Sequence, residues 1–140
     1  MLDVRRVLTT MIVIAAALAM LAAGGQKDKT PDWTIPPNAS QEQNPITPSP
    51  AVLARGRKLF ENKCQRCHGK DGRGHGPDAE ADHPAGNLTD PLRAAFNPDG
   101  VMFYKIWNGR ESPKMPAFKN DPLSKEEVWT VITFAKTFRR

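Results

Sequence analysis

The sequence predicts an all-α domain, and three observations carry that expectation. Apolar residues recur at intervals of three and four just after residue 50 and again after residue 125. Asp90-Pro91 and Asn97-Pro98 each set a capping residue before a proline suited to a first helical turn. Ser124 and Glu127 stand at capping-box spacing ahead of an apolar run.

In chain order, the first predicted helix begins at Pro50. Val52, Leu53, Gly56, Leu59 and Phe60 share one face, with Arg55, Arg57, Lys58 and Glu61 between them. A glycine inside a helix costs about 1 kcal/mol against alanine, so Gly56 predicts close contact with another helix, and Phe60 lies one turn further along the same face. Residues 69–77 hold four glycines and a proline, which predicts a loop. It is no phosphate-binding loop, because the third glycine of such a motif falls at Pro77 and no strand precedes it. A short helix is expected over 91–96. Another is expected over 98–108, ending at Gly109 and carrying Val101, Met102, Tyr104, Ile106 and Trp107. The last is expected over 125–138, with Val128, Trp129, Val131, Ile132, Phe134 and Ala135 forming its apolar face. Its natural partner is the first helix, with Phe60 against Val131 and Phe134.

The first helix runs directly into Cys64-Gln65-Arg66-Cys67-His68, the C-x-x-C-H pattern of c-type haem attachment. The thiols are spaced for the two vinyl groups of one haem, and the adjacent imidazole reaches the iron as proximal ligand. These are the only two cysteines of the chain. A structural zinc site would need four ligands, and no second Cys/His pair stands at zinc spacing. A thioredoxin-like pair needs a βαβ setting that the helical flanks do not suggest. A plain disulfide would leave His68 a coincidence. The cofactor expected is one haem c, covalent through Cys64 and Cys67. A backbone carbonyl at Pro77 is the expected acceptor for the Nδ1 proton of His68, leaving Nε2 for iron.

On the other axial side the candidate is Met115. Pro113 and Pro116 flank it, forbid regular structure there and stiffen a loop that can aim a thioether at iron. Met102 lies in a helical face and reads as packing. His75 and His83, in polar segments, are weaker rivals for the sixth position.

The rest of the chain is accessory. Arg5 and Arg6 precede the uncharged residues 7–23, the pattern of a secretory signal. Small residues at 17–19 and 22–24 favour cleavage. Retained as an anchor, the segment would span about 26 Å, a little short of a hydrocarbon core of about 30 Å. Residues 1–24 are thus expected to be a signal peptide or membrane anchor, which predicts export to the periplasm and a tether to the inner membrane if uncleaved. No cysteine near the boundary offers a lipid anchor, and the arginine pair is ordinary for such a region. Residues 25–50 hold six of the thirteen prolines, and form either an extended linker or an N-terminal arm in which Trp33 folds back. Residues 51–140 are the expected haem domain. About ninety residues make a marginal core, which a covalent haem would supplement. The net charge of +5 has no matching nucleic-acid motif, so nucleic acid is not an expected partner and an acidic protein patch fits better.

With these residues in view, the region from about 51 to 138 resembles class I monohaem cytochromes c of the bacterial periplasm. The likeness rests on the C-x-x-C-H motif at Cys64, Cys67 and His68, on Gly76-Pro77, on Met115-Pro116, and on Gly56/Phe60 with Val131/Phe134. It implies a fold of three to five helices around haem with crossed first and last helices. It also implies electron transfer with His68 and Met115 as axial ligands, between a redox donor and acceptor, in a carrier that is not itself an enzyme. The polar segment 78–87 departs from the pattern and predicts a surface lobe near the haem. Two other roles remain open: haem subunit of a larger respiratory or dehydrogenase complex, and a haem peroxidase or small-ligand binder lacking the Met115 bond.

Overall fold

A computed structural model of the chain describes residues 33, 35–111, 114–120 and 123–139. The chain divides into two units, residues 1–30 and 31–140. The export segment expected at 1–24 lies outside the described residues, as do Ser112 and Pro113 of the Met115 loop. No helix among the described residues is long and apolar enough to cross a membrane.

The second unit is all-α. Among the described residues its α-helices are α1 (Pro50–Lys63), α2 (Gln65–His68), α3 (Pro91–Ala95), α4 (Asp99–Asn108) and α5 (Lys125–Ala135). Each start follows from local chemistry. Ser49 accepts from Val52 N with Pro50 in the first turn of α1, and Asp90 accepts from Leu92 N and Arg93 N ahead of α3. Ser124 and Glu127 close a reciprocal capping box on α5. The expected cap on the fourth helix is corrected. That helix starts at Asp99 with Pro98 in the cap position and no side-chain cap. Asn97 instead donates to Arg93 O and accepts from Lys105 Nζ, each at 2.5 Å. The α-helix at the C-terminal end also stops earlier than expected, tightening at Lys136–Arg139 into a 3-10 turn.

The principal helix pair is α1 against α5. A Cβ on Gly56 would sit 2.7 Å from both Phe134 Cβ and Thr130 O, so only glycine lets the two backbones approach this closely. Phe60, Val131 and Phe134 form one buried cluster, as expected, and Phe138 joins its rings, 5.1 Å from Phe60. On the other side of α5, Met102 and Phe103 of α4 meet Val128, Trp129 and Ile132. Phe103, absent from the predicted face, is central there, stacked 4.3 Å from Trp129 and 5.8 Å from Trp107. Helix α4 therefore uses two faces, an aromatic one toward α5 and a second, with Met102, Lys105 and Ile106, toward the cavity described below.

Residues 35–49 pack on the same helices. Ala39 is fully buried, Glu42 O accepts from Gly100 N at 3.1 Å, and Asn44 Nδ2 donates to Trp129 O and Thr133 Oγ1. Ile46 packs on the aromatic core. Where prolines are expected to exclude any regular element, a single 3-10 turn forms at Ala39–Gln41, and side-chain and isolated backbone bonds hold the rest of the stretch down.

Candidate haem site

Cys64 ends α1, and a single turn, α2, presents Cys67 and His68. That turn is locked from behind by the glycine-rich loop. Gly69 N, Gly74 N, Gly76 N and Asp78 N donate to the carbonyls of Gln65, His68, Cys67 and Arg66, at 2.8 to 3.0 Å. The carbonyls that a helix end leaves unpaired are thus satisfied by the loop. A Cβ on Gly76 would overlap Arg66 O and lie 2.7 Å from Gln65 O, which is why this loop has to be glycine-rich. Arg66 adds a forked ion pair to Asp78, with Nε to Oδ2 at 2.6 Å.

The loop's outer edge continues into the polar segment 78–87. Ala85 N donates to Gly74 O and Leu88 N to Gly72 O. The segment forms a wall of the cavity, and it supplies the contact that the sequence assigned elsewhere. His68 Nδ1 lies 3.0 Å from Gly86 O, not from a carbonyl at Pro77. The physical reason is that the backbone around Pro77 faces α2, with Gly76 N and Asp78 N bonded to its carbonyls. A carbonyl only accepts, so Nδ1 carries the proton and Nε2 keeps its lone pair. Burial pushes the His68 imidazole below its ordinary range, the Gly86 bond partly opposing, which keeps the ring neutral.

The two thiols are not bridged to each other. Burial, then the neighbouring Cys67, pushes the Cys64 thiol up to about 12, with Lys63 opposing. Burial and Asp78 raise Cys67 as well. Among the described residues no three His, Cys, Asp or Glu side chains group where they could hold a metal ion, so the zinc reading lacks the ligands it needs.

Met115 sits beyond α4. Its N and O exchange bonds of 2.9 Å with Arg110 O and Arg110 N, an isolated antiparallel bridge that pins the residue where the sequence predicted irregular backbone. The flanking prolines exclude a longer ladder but not this one pair.

Cys64, Cys67, His68 and Met115 all line one cavity of about 500 Å³, with Phe60, Ile106 and Val131 among its apolar walls. That volume is in the range of cofactor sites. His83 also lines it but is solvent-exposed; His75 is exposed and outside the lining. Met102 lines the cavity, yet its sulfur already accepts from Arg139 Nη2 at 2.9 Å. The residues fit a haem on chemistry as well as size: two thiols, a neutral imidazole with Nε2 available, and a thioether around apolar space.

An all-α domain with this motif on the wall of such a cavity defines a c-type cytochrome domain. A family model for cytochrome c oxidase, cbb3-type, subunit III matches residues 51–134. The chain belongs to that family. No curated protein matches it.

Proposed function

We propose that this chain transfers single electrons outside the cytoplasm through one haem c, held by thioethers at Cys64 and Cys67 with His68 and Met115 as axial ligands. When bound, the haem supplies a one-electron ferric/ferrous couple. The observation that carries the reading is the convergence of those four side chains on one cavity, together with the bond to Gly86 that leaves His68 Nε2 available. The protein's part is positioning and exclusion of water. Gly86 orients the imidazole, the bridge to Arg110 holds Met115, and Phe60, Ile106 and Val131 keep the surroundings apolar. His68 and Met115 would both hold the iron and leave no position for a substrate, which favours a carrier over a peroxidase. A thioether ligand and apolar surroundings both favour the ferrous form.

The proposed organisation is an export segment at 1–24 that is cleaved or kept as an inner-membrane anchor, an arm over 25–50, and a haem domain over 51–140. Family membership favours a second setting, in which the domain serves as the haem subunit of a membrane-bound oxidase and exchanges electrons with neighbouring redox proteins.

The test is the optical spectrum of matured protein with and without Met115→Ala. The parent should show haem c, a weak near-infrared thioether-to-iron band in the ferric state, and little binding of carbon monoxide or cyanide. The variant should lose the band, bind carbon monoxide and show a lower midpoint potential. A parent that already binds carbon monoxide freely would support the ligand-binding role instead.

A further inference from the structure

Between the last turn of α4 and the bridge that carries Met115, the chain turns at Gly109. Gly109 N still donates to Lys105 O at 2.9 Å, and the next residue, Arg110, exchanges its backbone bonds with Met115. Gly109 has φ +60°, a region of backbone space in which glycine moves more freely than other residues. A joint at this point lets the bridge swing away from α4, and the thioether with it. A contact that spans the joint, from Lys105 to Arg110, would hold the bridge against the helix.

Trp33 makes that contact. Its ring centre lies 5.5 Å from Lys105 Nζ, before Gly109, and 4.7 Å from the Arg110 guanidinium, after it. An aromatic face attracts both cations, and more strongly the less water surrounds them. Burial is the largest cause that holds the Lys105 ammonium and the Arg110 guanidinium below their ordinary pKa ranges, with neighbouring cations adding to it, so both charges are partly withdrawn from water. The ring is half-buried and belongs to an anchored segment. Glu42 O accepts from Gly100 N of α4, and Asn44 Nδ2 donates to Trp129 O and Thr133 Oγ1 of α5. Trp33 and Met115 line the same cavity.

We propose that Trp33 is a positioning residue for Met115: by clasping Lys105 and Arg110 it splints the joint at Gly109 and keeps the bridge between Arg110 and Met115, and so the sulfur, in place. The proposal rests on Met115 as a ligand and deepens that reading, because it gives a part in ligation to a segment that precedes the family match at residues 51–134. The route is continuous. The arm is bonded to α4 and α5, its ring lies on the Arg110 side chain, and the Arg110 backbone is bonded to Met115. Removing the ring leaves the two bonds of the bridge but lets the pair move as a unit. Met115 then keeps its place for less of the time, while Cys64, Cys67 and His68, held by other contacts, keep theirs.

Cyanide binding to the ferric, matured full chain tests this, because cyanide needs the position that Met115 would vacate. Trp33→Ala should bind cyanide about tenfold faster than the parent, as when opening becomes easier by about 1.4 kcal/mol. Its near-infrared thioether band should weaken while its haem content stays that of the parent. Trp33→Phe, which keeps a ring face, should bind within about threefold of the parent rate. Trp33→Leu keeps apolar bulk without a ring face and should behave as Trp33→Ala; it carries the same comparison if the alanine variant does not fold. In a Met115→Ala background, Trp33→Ala should change the cyanide rate by less than about twofold, because both residues act on one step. Alanine and leucine variants with the parent's band and rate would overturn the inference and leave ligation by His68 and Met115 standing. Equal acceleration with and without Met115 would also overturn it, by making the ring a shield of the cavity rather than a splint. A parent with no thioether band would overturn the Met115 assignment and this inference together.

Discussion

The walls that present His68 and Met115, the two proposed ligands, are built with unequal means. Behind His68, four backbone N–H groups of one loop reach four consecutive carbonyls, and a fifth backbone group, Gly86 O, accepts from the ring Nδ1. Behind Met115, what the described residues show is one exchange of two bonds with Arg110. Backbone bonds inside a packed structure are cooperative and cannot be removed by changing one side chain. The imidazole is therefore set by the chain itself, whereas the thioether depends on one local closure. A ligand set by the fold should fail only when the fold fails. A ligand set by a small closure can be lost alone.

The largest effect is expected at Gly76. Gly76→Val puts a branched side chain where even a Cβ would overlap Arg66 O, and backbone on both sides cannot yield. The loss should exceed about 4 kcal/mol, the range reserved for such failures, and the variant should not mature into a haem protein. Denaturant unfolding and haem content check it. A folded, haem-bearing variant would show that the His68 wall is as adjustable as the other.

Gly109→Ala is the matching change on the Met115 side. Gly109 has φ +60°, and a Cβ there would press on Met115 O and lie 2.6 Å from Ala117 N. Strain of this kind costs about 1–3 kcal/mol, less than the loss expected at Gly76. The expected outcome is a folded haem protein with a weakened near-infrared thioether band and new carbon monoxide binding. An intact band would mean that Met115 is held by more than the bridge.

This contrast also explains what could be seen in advance. The helices were legible because periodicity and capping chemistry are local: two apolar faces suggest Phe60 against Val131 and Phe134, and capping-box spacing suggests Ser124 with Glu127. The motif at Cys64, Cys67 and His68 was legible for the same reason. Gly86 was not, because its role comes from a carbonyl, which every residue has, eighteen positions downstream of His68. Phe103 was not legible because one apolar stripe does not describe α4, which packs on two sides. The closeness of Trp33 to Arg110 joins segments far apart in sequence through a ring face, a contact that no spacing rule encodes.

The smallest effect separates backbone from charge within the His68 wall. Arg66 and Asp78 make the shortest ion pair described, with side chains 74% and 42% exposed. Such geometry suggests importance, but exposed pairs give up hydration and side-chain freedom when they form, and salt screens them. Asp78 N still donates to Arg66 O at 2.8 Å whatever the side chain is. Asp78→Asn should therefore cost no more than about 1 kcal/mol, with a difference that shrinks at high salt and an unchanged haem spectrum. Paired denaturant curves at low and high ionic strength measure it. A loss of several kcal/mol, or altered His68 ligation, would mean that the carboxylate rather than the peptide group holds the loop on α2, and the two walls would then differ less than their hydrogen bonds imply.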